Sequence, residues 1–138
     1  MQIVVVDGQG GGIGKQLIEA IRQQIPSAQV LAVGTNSVAT TSMLRSGAHR
    51  AATGENAVRV ACRTADVIVG PVGIAIADSL MGEITPDMAR AVGQSTAKKI
   101  LIPVNLCDNI IVGVPDTSVG RLVRLAVEKM LDSAEEIV

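Results

Sequence analysis

A cluster of glycines lies near the start of the chain, in the stretch VVVDGQGGGIGKQL, Val4–Leu17. An apolar run precedes the glycines and a helical pattern follows them. In a strand–turn–helix arrangement, glycines let the backbone approach a phosphate, and the N-terminus of the helix offers free N–H groups and partial positive charge. The stretch is therefore a candidate phosphate-binding loop.

The spacing of the glycines tests this loop against two common motifs. The dinucleotide fingerprint G-x-G-x-x-G needs glycine at position 13, where the chain has Ile13. The nucleoside-triphosphate pattern G-x-x-x-x-G-K-[ST] needs glycine at position 9 and a hydroxyl at 16, where the chain has Gln9 and Gln16. Neither motif fits, and the missing hydroxyl argues against a magnesium triphosphate.

A third spacing does fit. Gly8, Gly12 and Gly14 match G-x-x-x-G-x-G, and over roughly its first 35 residues the chain resembles the cofactor loop of short-chain dehydrogenases. The resemblance implies a nucleotide cofactor, with NAD or NADP as one candidate. It does not carry over the dehydrogenase reaction, because that family uses a tyrosine in a Tyr-x-x-x-Lys pair and this chain has no tyrosine.

The loop supplies the first group of candidate cofactor contacts. Gly8, Gly12 and Gly14 are expected to be the structural glycines, which leaves three residues to present their backbone to the ligand. The full set of candidates is Gly8, Gln9, Gly10, Gly11, Gly12, Ile13 and Gly14. The alternative is that the glycines serve only a tight turn and close packing of helix on strand.

Two charged residues, Asp7 and Lys15, flank the loop and are candidate substrate contacts. A carboxylate beside a phosphate repels it. Asp7 is therefore expected either to accept hydrogen bonds from loop N–H groups or to hold a metal that bridges to the ligand.

Polar residues and glycines also follow other predicted strands. Thr35 and Asn36 stand where many dinucleotide-binding domains carry an acid for the ribose diol, and they are candidates to bond a ribose or a 2′-phosphate. Gly70, Pro71 and Gly73 follow a later strand. Because ligands bind beyond the carboxyl ends of parallel strands, all five are candidate cofactor contacts.

Four more polar residues are candidate contacts to a small anionic substrate: Glu55, Asn56, Glu83 and Asn105. Glu55 has a structural alternative, since an acid in the first turn of a helix complements the helix dipole. Glu83 is either a base or metal ligand, or a solvated loop charge. An enzyme acting on an anionic metabolite through Asp7, Glu55 and Glu83 is the first alternative function.

The cysteines and the single histidine add no chemistry. Cys62 and Cys107 make neither a disulfide framework nor a zinc site, and no histidine is placed to activate Cys107. His49 is expected in a capping or surface role. No metal site is predicted.

Composition restricts the function class further. The net charge is −1, the basic residues are scattered and aromatics are absent, so no nucleic-acid partner is expected. The longest uncharged apolar stretch, Val67–Ala77, is too short to span a membrane, and no signal peptide is evident, which predicts a cytoplasmic protein. With 48% hydrophobic and 18% charged residues, a homo-oligomer is expected. A non-catalytic subunit of such an oligomer is the second alternative function.

Alternating apolar runs and helical periodicity place these candidates. Strands are predicted at Ile3–Val6, Val30–Val33, His49–Ala52, Val67–Val69, Ile100–Val104 and Ile110–Val114. Helices are predicted from Ile13 to a stop at Pro26, at Ser37–Ser46 with Asn36 or Ser37 as cap, after a cap at Thr53, from Thr85-Pro86-Asp87, and from Val119 through Leu131.

The alternation predicts an α/β fold, a three-layer sandwich in which helices cover both faces of a mainly parallel sheet. The length predicts that residues 1–138 form one domain. Only NLCDN separates the last two strands, whereas a parallel crossover needs about a dozen residues. Ile110–Val114 is therefore predicted to be an antiparallel edge strand.

Four blocks together extend the comparison to nearly the whole chain. DGQGGGIG, LAVGTNSVATTSMLRSGAHRAATGENAV, DVIVGPVGIAIADSLMGEITP and KKILIPVN resemble a family of small bacterial proteins of unknown function. This resemblance implies a single Rossmann-like domain and transfers no catalytic residue. The leading hypothesis is a protein, enzyme or not, that binds the phosphate of a nucleotide or dinucleotide at Gly8–Gly14.

Overall fold

The computed structural model describes residues 1–104, 109–115 and 117–137, without the side chains of 135–137. Five strands are present in this part of the chain: β1 (Gln2–Asp7), β2 (Gln29–Gly34), β3 (Arg50–Thr53), β4 (Val67–Pro71) and β5 (Lys98–Ile102). The helices are α1 (Gly12–Gln24), α2 (Ser37–Arg45), α3 (Glu55–Thr64), α4 (Pro86–Gln94) and α5 (Val119–Ile137), with a 3-10 helix at Val72–Ala75. None of the described helices is long and apolar enough to cross a membrane.

The strands form one sheet in the order β3-β2-β1-β4-β5, and every neighbouring pair is parallel. β4 is buried along its whole length and β1 from Ile3 onward, as expected for central strands covered on both faces. The chain leaves β1 toward β2 on one side and leaves β4 toward β5 on the other. The switch in strand order therefore lies between the carboxyl ends of β1 and β4, where ligands of such sheets bind.

Side chains of β1 alternate between two apolar cores. Ile3 and Val5 pack in the core formed with α1, α2 and α5, whereas Val4 and Val6 pack in the core formed with α3 and α4. Successive strand residues point to opposite faces, so an all-apolar run serves both cores. The predicted class, a three-layer α/β sandwich of Rossmann-like type, is confirmed.

The predicted antiparallel edge strand at Ile110–Val114 is wrong. Residues 109–111 have no regular structure, and Val112 and Gly113 form a turn in which Gly113 has a φ of 84°. Ile110 is 90% exposed and Val112 is 93% exposed, and this segment pairs with no strand of the described sheet. In the described residues β5 is the edge strand on this side, and the sheet is parallel throughout.

Two predicted helix caps are confirmed and one is wrong. The side-chain oxygens of Asn36 and Thr85 accept the N–H three residues on, at 2.9 Å and 3.1 Å, and so cap α2 and α4. Thr53 is instead the last residue of β3, and its hydroxyl lies 2.6 Å from that of Thr40. Gly54, with a φ of 103°, occupies the N-cap of α3.

Candidate functional site

The glycine loop turns the chain from β1 into α1. The N–H of Gly11 donates to the carbonyl of Gly8 at 2.9 Å and closes the turn, within which Gln9 and Gly11 have φ values of 50° and 75°. A side chain at Gly11 would be strained in this left-handed conformation, and its Cβ would lie 3.0 Å from the backbone of Ala39. The loop therefore requires glycine at position 11.

Gly8 and Gly14 also leave no room for a side chain. A Cβ on Gly8 would lie 2.7 Å from Oγ1 of Thr35, and one on Gly14 would lie 2.9 Å from Cγ of Met43. By contrast, a Cβ on Gly12 would meet no described atom within 4 Å. The structural glycines are those at positions 8, 11 and 14, and the assignment of that role to Gly12 is wrong.

Asp7, at the end of β1, caps α1 across the loop. Its Oδ1 accepts the N–H of Gly8 at 2.8 Å and its Oδ2 accepts the N–H of Gly14 at 2.7 Å. Gly11 stands at the N-cap position and has no side chain, so Asp7 supplies the acceptor that Ser or Asp usually provides there. Of the two roles expected for Asp7, the structure has the hydrogen bonds to loop N–H groups. No cluster of three metal-binding side chains occurs among the described residues.

Burial is the largest influence on the pKa of Asp7, a residue that is only 4% exposed. Burial raises the pKa of the carboxyl above its ordinary value of 3.8, the N–H bonds from Gly14 and Gly8 lower it, and the charge of Glu83 raises it further. The net direction is upward, so the ionised form of Asp7 is less favourable in the folded protein than in water.

Glu83 reaches the glycine loop from the segment between the 3-10 helix and α4. Its Oε1 accepts three hydrogen bonds, from the N–H of Gln9 at 2.9 Å, the hydroxyl of Thr35 at 2.6 Å and the amide of Asn36 at 2.7 Å. No hydrogen bond within the described part of the chain uses Oε2. One carboxylate oxygen is thus held firmly, while the other keeps its capacity to accept.

The segment that presents Glu83 has an unusual backbone. Asp78, Leu80 and Met81 have φ values of 66°, 54° and 56°, in a region that residues other than glycine rarely adopt. Leu80 is nevertheless buried, and its methyl group lies where a Cβ on Gly8 would come within 3.1 Å. Strained backbone of this kind persists where packing holds it, and it is frequent at functional sites. Here it places the carboxylate of Glu83 against the loop.

Two opposing influences act on the pKa of Glu83. Burial is the largest single one and raises it, but the hydrogen bonds from Thr35, Gln9 and Asn36 together outweigh burial and hold the pKa below its ordinary value. Glu83 is therefore ionised at neutral pH. Its contribution to stability is present above its unfolded-state pKa and is lost as the pH falls through the lower folded value.

Other predicted contacts are dispersed. Glu55 accepts the hydroxyl proton of Thr85 at 2.6 Å, beside the start of α4, and Asn56 is exposed on α3. Ile13 is half-buried in the first turn of α1. Asn105 lies outside the described residues, as does Cys107.

Gly70 and Pro71, the last two residues of β4, and Gly73, just beyond it, have packing roles. A Cβ on Gly70 would collide with the carbonyl oxygen of Val6 in the neighbouring strand. Pro71 is buried at the end of β4, and a Cβ on Gly73 would lie 2.9 Å from Oγ of Ser79.

His49 has a structural contact, because its Nδ1 accepts the N–H of Val30 at 3.0 Å.

A groove of about 660 Å³ opens beside the glycine loop, between α1 and α2. Gly10 and Lys15 line it on one side and Arg45 on the other, together with Glu19 and the hydroxyls of Ser37, Thr41, Ser42 and Ser46. Among the described residues, neither Lys15 nor Arg45 forms an ion pair. The groove is therefore cationic next to the open side of the loop.

An acid at the end of β2 is the feature that sequence reasoning missed. The ribose-binding acid was expected to be absent, because Thr35 and Asn36 occupy its place in the sequence. Glu83 comes to that place from 48 residues beyond Thr35. Its local sequence has no clear periodicity, and Gly82 is the single hint of a turn there.

The sequence matches, over residues 2–135, the profile of a protein family described as a domain of unknown function, DUF3842. A comparison with curated proteins finds no match. One solved structure with a similar fold is a dodecameric FMN-dependent UbiX-like decarboxylase from Escherichia coli O157:H7. It is 20% identical, the alignment covers 94% of this chain and 76% of that one, and the TM-score is 0.48.

Proposed function

We propose, from the premise that this chain belongs to the DUF3842 family of unknown function, that it binds a nucleotide at the carboxyl edge of its sheet. Glu83 carries the proposal. Three hydrogen bonds hold its Oε1 at the end of β2, and its Oε2 has no partner among the described residues. A carboxylate at that place in a Rossmann-like sheet is suited to accept the hydroxyl protons of a ribose.

The phosphates of this nucleotide are assigned to the open side of the glycine loop. A side chain at Gly10 or Gly12 would meet nothing within 4 Å, and no hydrogen bond of the described residues uses either N–H. Backbone N–H groups at the start of a helix bind phosphate well, and Lys15 in the adjoining groove adds positive charge.

The carboxylate of Asp7 is expected to repel a phosphate at the loop less strongly than its place in the sequence suggests. Its carboxylate is buried and already accepts the N–H groups of Gly8 and Gly14, so it faces the helix rather than an open donor. The groove beside Gly10 has the size of ordinary ligand pockets, which measure roughly 300–1,000 Å³. A nucleotide or dinucleotide is the ligand class that would offer a ribose to Glu83 and phosphates to the glycine loop.

Calorimetric titration with ATP, ADP, AMP, GTP, NAD and NADP tests the proposal. At least one is expected to bind, and its 2′-deoxy counterpart to bind more weakly. Glu83→Gln is expected to weaken the ribonucleotide about tenfold while leaving the deoxynucleotide nearly unchanged, because the lost bond is one from hydroxyl to carboxylate. Glu128→Gln, an exposed change of the same charge on α5, is the matched control.

Two results would overturn the assignment. Folded protein that binds none of the six nucleotides at millimolar concentration contradicts the proposed function. Equal losses for the ribo and deoxy ligands in Glu83→Gln would remove Glu83 from hydroxyl recognition.

We propose in addition that the protein is a homo-oligomer. Met81, Ile110 and Val112 are each at least 90% exposed, and large apolar side chains in water favour association. Light scattering is expected to give at least twice the chain mass of 14.2 kDa. A monomer at working concentration would contradict this part of the proposal.

A further inference from the structure

A second groove, of about 540 Å³, lies between α3 and α4. These two helices cover the face of the sheet opposite α1 and α5, so the groove shares no lining residue with the glycine loop. Three guanidinium groups line it, from Arg59 and Arg63 on α3 and from Arg90 on α4. Gln94 and Thr96 add polar side chains.

The charge in this groove is unbalanced. Asp87 is the one carboxylate that lines it, which leaves two more positive than negative charges in a chain whose net charge is −1. Arg59 and Arg63 are four residues apart on one helix, a spacing at which like charges repel. In the part of the chain that the structure describes, no ion pair neutralises any of the three arginines.

The remaining groups of the groove do not alter that charge. Burial, the largest influence, raises the pKa of the Cys62 thiol to about 11, so it is neutral and a poor nucleophile at physiological pH. The hydroxyl of Ser95 is already used, since it donates to the carbonyl of Cys62 at 2.7 Å. The arginines are thus the groups available to a ligand.

We propose that this groove binds a small molecule carrying a phosphoryl group with at least two negative charges. Guanidinium forks match phosphate oxygens two at a time, and arginines from two facing helices hold such a group from both sides. Binding offsets the repulsion between Arg59 and Arg63. The site is independent of the nucleotide proposed at Glu83.

Titration with sodium pyrophosphate at constant ionic strength tests the inference. Saturable binding is expected, and Arg63→Gln is expected to weaken the binding in this groove at least about tenfold. Arg124→Gln on α5 removes the same charge from an exposed position and is expected to change the affinity less than about twofold. Arg63→Gln is also made in the Lys15→Gln background, in which the glycine loop contributes less to binding, and the tenfold loss is expected there too.

Each other outcome overturns the proposal. Equal losses in Arg63→Gln and Arg124→Gln would mean that pyrophosphate responds to overall charge alone. A loss in Lys15→Gln without one in Arg63→Gln would move the pyrophosphate to the glycine loop. Absence of saturable binding would exclude the site, whatever the nucleotide titrations show.

Discussion

Gly14→Ala is expected to lower the free energy of unfolding by about 3 kcal/mol, because it overpacks a closed part of the core. Its Cβ would press on the side chain of Met43, which is fully buried, and would lie 3.1 Å from Cβ of Asp7. Movement of the backbone to relieve these contacts would also stretch the bond from the Gly14 N–H to Asp7. Urea denaturation monitored by circular dichroism measures the loss.

Gly12→Ala is the matched control, two residues away in the same first turn of α1. Its Cβ would meet nothing within 4 Å, so the free energy of unfolding is expected to change by less than about 0.5 kcal/mol. Equal losses in the two variants would contradict the assignment of structural glycines to positions 8, 11 and 14.

Asp7→Ala is expected to cost about 3 kcal/mol of stability, since it removes one acceptor from each of two backbone N–H groups. Gly8 and Gly14 are buried, so water does not readily replace the lost carboxylate. Asp132→Ala, at an exposed position of α5, is the control and is expected to stay within about 0.5 kcal/mol. Thermal and urea unfolding of both variants measure the difference.

The pH dependence of Asp7 separates burial from hydrogen bonding. Because burial raises its folded-state pKa, Asp7 contributes stability that is present below its unfolded-state pKa and is lost as the pH rises through the folded value. The destabilisation of Asp7→Asn relative to the native protein is therefore expected to shrink as the pH rises from below the unfolded-state pKa through the higher folded-state value. A cost that grows with pH would mean that the N–H bonds and the helix dipole outweigh burial.

Local pattern in the sequence was enough for most of the architecture. The run Ile3–Val6 has no polar position, which only a strand covered on both faces tolerates, and it became the central β1. Asn36, with Ser37 as its alternative, and Thr85 are predictable as helix caps because their side chains bond N–H groups only three residues away. Such features depend on neighbours along the chain, so periodicity and capping rules predict them.

The antiparallel strand at Ile110–Val114 shows where local pattern fails. Its apolar run is as short and continuous as that of a real strand, but a strand also needs a neighbouring strand to pair with. In the structure β5 is the edge strand, and Ile110 and Val112 are exposed beside a turn. Whether a short apolar run pairs is decided by the sheet as a whole.

The candidate site also combines features that the local sequence predicts with features that depend on tertiary contacts. The sequence by itself determined the aliphatic core, the alternation of strands and helices, and a glycine loop at the end of β1, because each depends on residue types at short spacing. Only the tertiary structure decided that Asp7 caps α1, that Gly11 rather than Gly12 is constrained, and that Glu83 lies at the end of β2. These depend on hydrogen bonds and close contacts between residues 7 to 74 positions apart, which no local periodicity encodes.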